Sequence, residues 1–191
     1  MSAAMLLEQV APDTALGRAD SRWLPVPPGS VFAELQKIMP AEIPLVRIGL
    51  KVAKPLMPFV DGKPLYAQML DAGFAVMGVM PLREVLLGRV GKLTKVFAPE
   101  PRIKDKRELN AFAEPGHVKV LLAFQLAPEE RDGRAGTNVT FAVRIWGTDA
   151  GATRRLKLAW PLGNAFGGRF AGAWLLALDA RLTPKPSGPP A

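Results

Sequence analysis

The stretch "LLGRVGKLTK", residues 86–95, carries glycines, a lysine and a threonine in the manner of a phosphate-binding loop. Such a loop needs Gly, four residues, then Gly-Lys-Ser/Thr, so that backbone N–H groups cradle the phosphates and a hydroxyl reaches magnesium. Counting back from Gly91-Lys92, the first position holds Leu86, and the hydroxyl position holds Leu93. The loop must also join a strand to a helix, whereas these residues sit in or just after a strand. Nucleotide binding is therefore not expected here. Small residues where a sheet bends, or where a neighbour comes close, explain the glycines instead.

General acid–base chemistry needs a polar group held in a cavity with a shifted pKa. Glu84 is the best-placed candidate. It precedes Leu86, Gly88 and Val90 on one strand face, and if that face is concave the carboxylate points into a pocket. The favoured reading is plainer: an edge carboxylate paired with Arg or Lys at the surface, because ionised carboxylates are rarely buried unpaired. Arg144 could clamp a ligand, but alternation puts it on the wet, convex side of its strand. His117, after Pro115-Gly116, reads as a turn residue rather than a base. Asp149 reads as a helix cap. One His and no Cys leave no multi-His or thiolate metal site, and neither metal nor cofactor is implied.

The elements that must position these groups follow from periodicity. In residues 21–38, Pro25, Pro27 and Pro28 suit an edge strand and a turn, and Ser30 is the expected N-cap of a helix carrying Val31, Leu35 and Ile38. Residues 40–60, rich in proline, predict short broken helices. "KPLYAQMLDAG" (63–73) predicts a short helix between Pro64 and Gly73. The period then changes to two. Residues 73–79 and 83–90 predict a hairpin turning at Met80-Pro81, with Gly88 at a bulge or close approach. Residues 93–103 are expected to be extended. Residues 105–112 predict a helix capped by Asp105, with Glu108 completing a capping box.

Two long strands come next, 116–128 and 137–147, around the charged turn "EERDGRAG". Val118, Val120, Leu122, Phe124, Phe141, Val143 and Ile145 alternate with more polar positions. One face of this pair should therefore be buried, against a helix over 148–182. Thr148 or Asp149 caps that helix, and Pro161, Gly163, Gly167 and Gly168 kink or weaken it. "TPKPSGPPA" predicts a disordered tail over 184–191. The chain thus reads as a single domain over 1–183.

Composition narrows the function classes. The 191 residues suit one domain, and 49% hydrophobic against 22% charged is ordinary for a soluble protein. The N-terminus has no secretory pattern, and "AGAWLLAL" (171–178) falls far short of the ~18 apolar residues of a membrane span. A cytoplasmic location is the resulting expectation. The net charge is +8, yet the lysines and arginines are spread along the chain with no interleaved aromatic cluster. A basic surface, rather than nucleic-acid or anionic-surface binding, is the favoured reading.

The order strand, helices, antiparallel strands, long C-terminal helix is that of the helix-grip fold, shared by START domains, pollen-allergen-like proteins and polyketide cyclases. "REVLLGRVGKL" (83–93), "ELNAFAEPGHVKVLLAFQLAP" (108–128), "TFAVRIWGTDAGATRRLKLAW" (140–160) and "RFAGAWL" (169–175) resemble a bacterial branch of the SRPBCC superfamily, START-like and polyketide cyclase-like. The likeness covers roughly residues 20–182. It departs from the branch pattern at Ala142, where an acid is usual, at Ala159, where an aromatic is usual, and at "GGRFAG". The resemblance implies an α+β fold with a curved antiparallel sheet wrapped around the C-terminal helix. It also implies a cavity between them for a hydrophobic small molecule or lipid. Leu86, Val120, Leu122, Phe124, Phe141, Val143, Trp160, Phe166 and Phe170 are the residues expected to line it. A cyclase or dehydratase using Glu84 as general acid or base is the enzymatic alternative. Fold alone separates neither.

Overall fold

The structure, a computed structural model, describes residues 5–43, 62–93 and 101–183, apart from the side chain of Phe166. The broken helices expected beyond residue 43, most of the extended segment and the 184–191 tail lie outside the described residues. The chain runs α1 (Leu6–Val10), β1 (Leu16–Leu24), α2 (Pro28–Leu35), a 3₁₀ turn (Pro40–Glu42), α3 (Leu65–Asp71), β2 (Ala75–Met80), β3 (Glu84–Lys92), α4 (Lys106–Ala111), β4 (His117–Arg131), β5 (Arg134–Gly147) and α5 (Ala150–Leu182).

The five strands form one antiparallel sheet in the order β1-β5-β4-β3-β2. Its centre is the β4–β5 hairpin. Asp132 and Gly133 have φ of 52° and 71°, the two positive angles a tight hairpin turn demands. With the turn fixed, Val120 pairs with Ile145, Leu122 with Val143 and Phe124 with Phe141. In the β2–β3 hairpin the register slips between Val76 and Gly78, so the bulge lies in β2. Gly88 serves the close approach: a Cβ there would lie 2.6 Å from Met77 Cγ.

One face of the sheet is covered by α5, together with α2 and α3. Its core joins Val118, Val120, Phe124, Phe141 and Ile145, as the alternation of β4 and β5 predicted, and also Val85 and Leu87 of β3, where the face of Leu86 and Val90 was expected, to Leu156, Trp174, Leu175 and Leu178. Val31, Leu35 and Ile38 join the same core. Pro28, at the first helical position, and not Ser30 opens α2; its fixed φ and missing N–H suit that place. Arg181, at the far end of α5, binds Glu34 at 2.8 Å and Glu42 at 2.6 Å, which fastens the helix to α2 and the 3₁₀ turn.

The second face is not the wet surface that alternation suggested. Leu86, Val90, Leu121, Ala123 and Ala142 are buried there against Leu7, Val10, Ile103 and Leu109. Five-residue α1 and six-residue α4 supply the cover. Asp105 caps α4 by accepting from the Glu108 amide at 2.8 Å, while Glu108 reaches back to the amide of Lys104.

Asp149 is the cap of α5, accepting from Ala152 N–H at 2.9 Å. The 33-residue helix continues through Pro161. The whole is an α+β arrangement of the helix-grip type: an antiparallel sheet with one long C-terminal helix on a face. No helix among the described residues is long and apolar enough to cross a membrane.

Candidate functional site

The layer between the sheet and α5 divides along the helix. Toward the C-terminal half it is filled. Trp174 is fully buried and lies 4.8 Å, ring centroid to centroid, from Phe124 and 5.8 Å from Phe141. Phe170 meets Trp174 edge-on at 5.6 Å. These tilted and edge contacts are the favourable geometries for aromatic pairs. The side of this cluster toward β1 is sealed by charge pairs. Arg22 donates to Asp179 at 2.8 Å, and Arg18 to Asp20 at 2.6 Å. Gly168 permits the second pair, because a Cβ there would lie 2.1 Å from the Arg18 guanidinium carbon.

Toward the N-terminal half of α5 the layer opens into an apolar cleft of about 420 Å³. Val120, Val143 and Ile145 form its sheet side, Leu156, Ala159, Trp160 and Gly163 its helix side, and Leu93 one end. The helix residues recur at i, i+3, i+4 and i+7, one stripe facing the sheet. Gly163 adds room, since a Cβ there would meet nothing within 4 Å among the described residues.

The structure therefore separates the expected lining. Val120, Val143 and Trp160 border the cleft. Phe124, Phe141 and Phe170 belong to the packed cluster, and half-buried Leu122 packs against the same core. Leu86 faces the other side of the sheet, under α1. Phe166 lies on α5, but its side chain is outside the described residues. Leu93, Ile145, Leu156, Ala159 and Gly163 were not in the expected lining. The helical spacing of Leu156, Trp160 and Gly163 was the signal that could have found them.

Glu84 is placed by neither sequence reading. It is fully buried, on the face away from the cleft. One carboxylate oxygen accepts from the Leu7 amide and from Gln125 Nε2, each at 3.1 Å, and the other accepts from the Leu6 amide. Those amides belong to the first turn of α1, which otherwise has no cap. A carboxylate there completes the helix end and holds it to the sheet.

Arg144 lies half-buried on the same outer face, 3.7 Å from Glu8. Lys119 is buried there too, and its Nζ donates to the Asn110 carbonyl at 3.1 Å; burial pushes its pKa down. His117, expected as a turn residue, is instead the buried first residue of β4, with Nδ1 3.0 Å from the Pro115 carbonyl and its ring edge-on to Phe112. Asp149 accepts from the Gly116 and Ala152 amides, which hold its carboxyl below the usual range. These four groups tie elements together outside the cleft.

The polar residue the sequence reading passed over is Arg89. It is fully buried, on the α5 side of β3, and none of its three guanidinium nitrogens has a hydrogen-bond partner among the described residues. Its Cζ stands 5.7 Å from the Phe74 ring centroid. Burial, with the nearby charge of Arg102, lowers its pKa to about 10, which leaves it cationic at neutral pH. A buried unpaired cation is costly, so it marks a place where the fold alone does not satisfy its own chemistry. The strand was legible, but "LLGRV" gave no sign of which side chains would face α5.

No protein-family model matches this chain, and no curated protein matches it. Among solved structures, the crystal structure of TTHA0849 from Thermus thermophilus is similar at 13% identity, over 90% of this chain and 100% of that one, with a TM-score of 0.36. The crystal structure of Ara h 8.0201 is similar at 11% identity, over 88% and 97%, with a TM-score of 0.26. The strand order and the packing of α5 carry the fold assignment by themselves.

Proposed function

We propose that this protein is a binding module of START-like, SRPBCC type that holds a hydrophobic small molecule or lipid between its sheet and α5. The observation that supports it is the cleft. Its lining is apolar, and its volume of about 420 Å³ suits a small organic ligand. The polar side chains singled out as catalysts stand elsewhere. Glu84, the acid or base of the cyclase alternative, has both oxygens engaged by α1 and Gln125 on the opposite face.

N-phenyl-1-naphthylamine, a neutral dye that brightens in apolar surroundings, tests this directly. The wild-type protein is expected to bind it saturably, and dodecanol to displace it. Ile145→Trp fills the cleft from its sheet side and is expected to abolish the signal while the far-ultraviolet circular dichroism stays unchanged. A folded wild type that shows no saturable brightening rejects the binding reading.

A further inference from the structure

Among the described residues, Arg89 is the charged side chain that the fold buries fully without a hydrogen bond. Its position is informative. In the sheet Arg89 pairs with Val120, and Val120 pairs with Ile145. All three project from the same face, and the latter two are the sheet side of the cleft. The guanidinium of Arg89 stands over Phe74, on the β2 side of β3, and is not itself part of the cleft lining. Neighbouring strands lie about 5 Å apart, a distance so long a side chain can swing across. The cleft is therefore apolar along its length and flanked in its own cross-strand row by a cation.

The Phe74 ring offers this cation only a π face, a weak substitute for an anion. Arg102 adds a second positive charge, and among the described residues no carboxylate contributes to holding the Arg89 charge. A guanidinium meets a carboxylate through two parallel N–H donors, a match of shape as well as charge. Away from water such a pair is stronger, and it would supply the hydrogen bonds that Arg89 lacks.

We propose that the ligand of the cleft is an amphipathic carboxylic acid, its carboxylate on Arg89 and its apolar body against Val120, Ile145 and Trp160. This rests on the cleft being a ligand site. The full chain is titrated with dodecanoate and with dodecanol, each displacing N-phenyl-1-naphthylamine, and the titration is repeated on Arg89→Met. The wild type is expected to bind the acid at least about tenfold tighter than the alcohol. In Arg89→Met the acid should lose that advantage while dye and alcohol bind as before. Equal affinity of the wild type for acid and alcohol, or an acid preference that survives in Arg89→Met, overturns the proposal and leaves the cleft reading standing. If the wild type binds neither dye nor alcohol, the cleft reading fails and this proposal with it. Should Arg89→Met not fold, the ratio in the wild type decides alone.

Discussion

Two regions under α5 are made by the same strands and the same helix, yet they differ in what occupies them. Around Trp174 the sheet supplies Phe124 and Phe141, and with Phe170 of the helix the four rings interlock. One cross-strand row further on, the sheet supplies Val143, and then Val120 and Ile145. Here the helix offers Leu156, Trp160 and Gly163. Small β-branched side chains opposite a glycine leave space; large aromatic side chains opposite a tryptophan do not. The lesson concerns aromatic residues in a two-layer protein. They mark where the layers are locked together, and the room for a ligand lies beside them.

The largest expected effect comes from unlocking the filled region. Trp174→Ala removes the centre of the cluster and is expected to cost about 3–5 kcal/mol in urea unfolding. Dye bound in the cleft should still bind to whatever fraction remains folded. A Trp174→Ala protein that loses less than about 1 kcal/mol would mean that this region is not the packed core described here.

The next effect tests the two faces of the sheet. Glu84→Ala leaves the first amides of α1 without an acceptor and is expected to cost about 2–3 kcal/mol, the scale of hydrogen bonds to a charged group. Dye affinity should stay unchanged. If Glu84 instead served the cleft, its removal would alter binding before stability, and an unchanged melting temperature with altered dye affinity would show that.

A smaller effect depends on pH. The Asp149 carboxyl is held below its ordinary value of 3.8 by the Gly116 and Ala152 amides. A depressed carboxyl contributes stability that is present above its unfolded pKa and lost as pH falls through the folded value. Asp149→Ala should therefore melt below the wild type at pH 7, and the gap should close as pH drops below 3.8. A gap that is constant with pH would mean that the charged cap does not stabilise this helix start.

Much of this organisation was legible in the sequence, for physical reasons that also explain the failures. The β4–β5 hairpin alternates around a charged turn, so its antiparallel pairing and the face under α5 followed, although the strands run on to Arg131 and from Arg134, into the stretch read as turn. The caps of α4 and α5 are local, three residues from the amides they serve. β3 is different. Eight of its nine residues are buried, on both faces, so periodicity gives no sign of which parity meets α5. That is why Leu86 was assigned to the cavity, Glu84 was expected at a wet edge or in a pocket, and Arg89 was overlooked. α1 was invisible for a related reason: its cap, Glu84, lies 78 residues away from Leu6, and no window along the chain brings the two together.

The smallest expected effect on stability sharpens the comparison most. The same enlarged side chain can be placed in each region. Leu126→Phe adds a ring within the filled region, where Leu126 is 1% exposed. No space waits for it, and displaced neighbours should cost about 1–3 kcal/mol. Val143→Phe adds a ring on the wall of the cleft. There the new side chain enters open space and covers apolar surface, so the change in unfolding free energy should stay within about 1 kcal/mol of zero. The occupied volume comes out of the site, however, and dye affinity should fall at least about tenfold, since the ligand loses its place against Ile145 and Trp160. The two variants thus predict opposite patterns: stability lost with binding kept, and binding lost with stability kept. Equal destabilisation by both would mean that the cleft closes in solution and that the layer under α5 is packed from end to end.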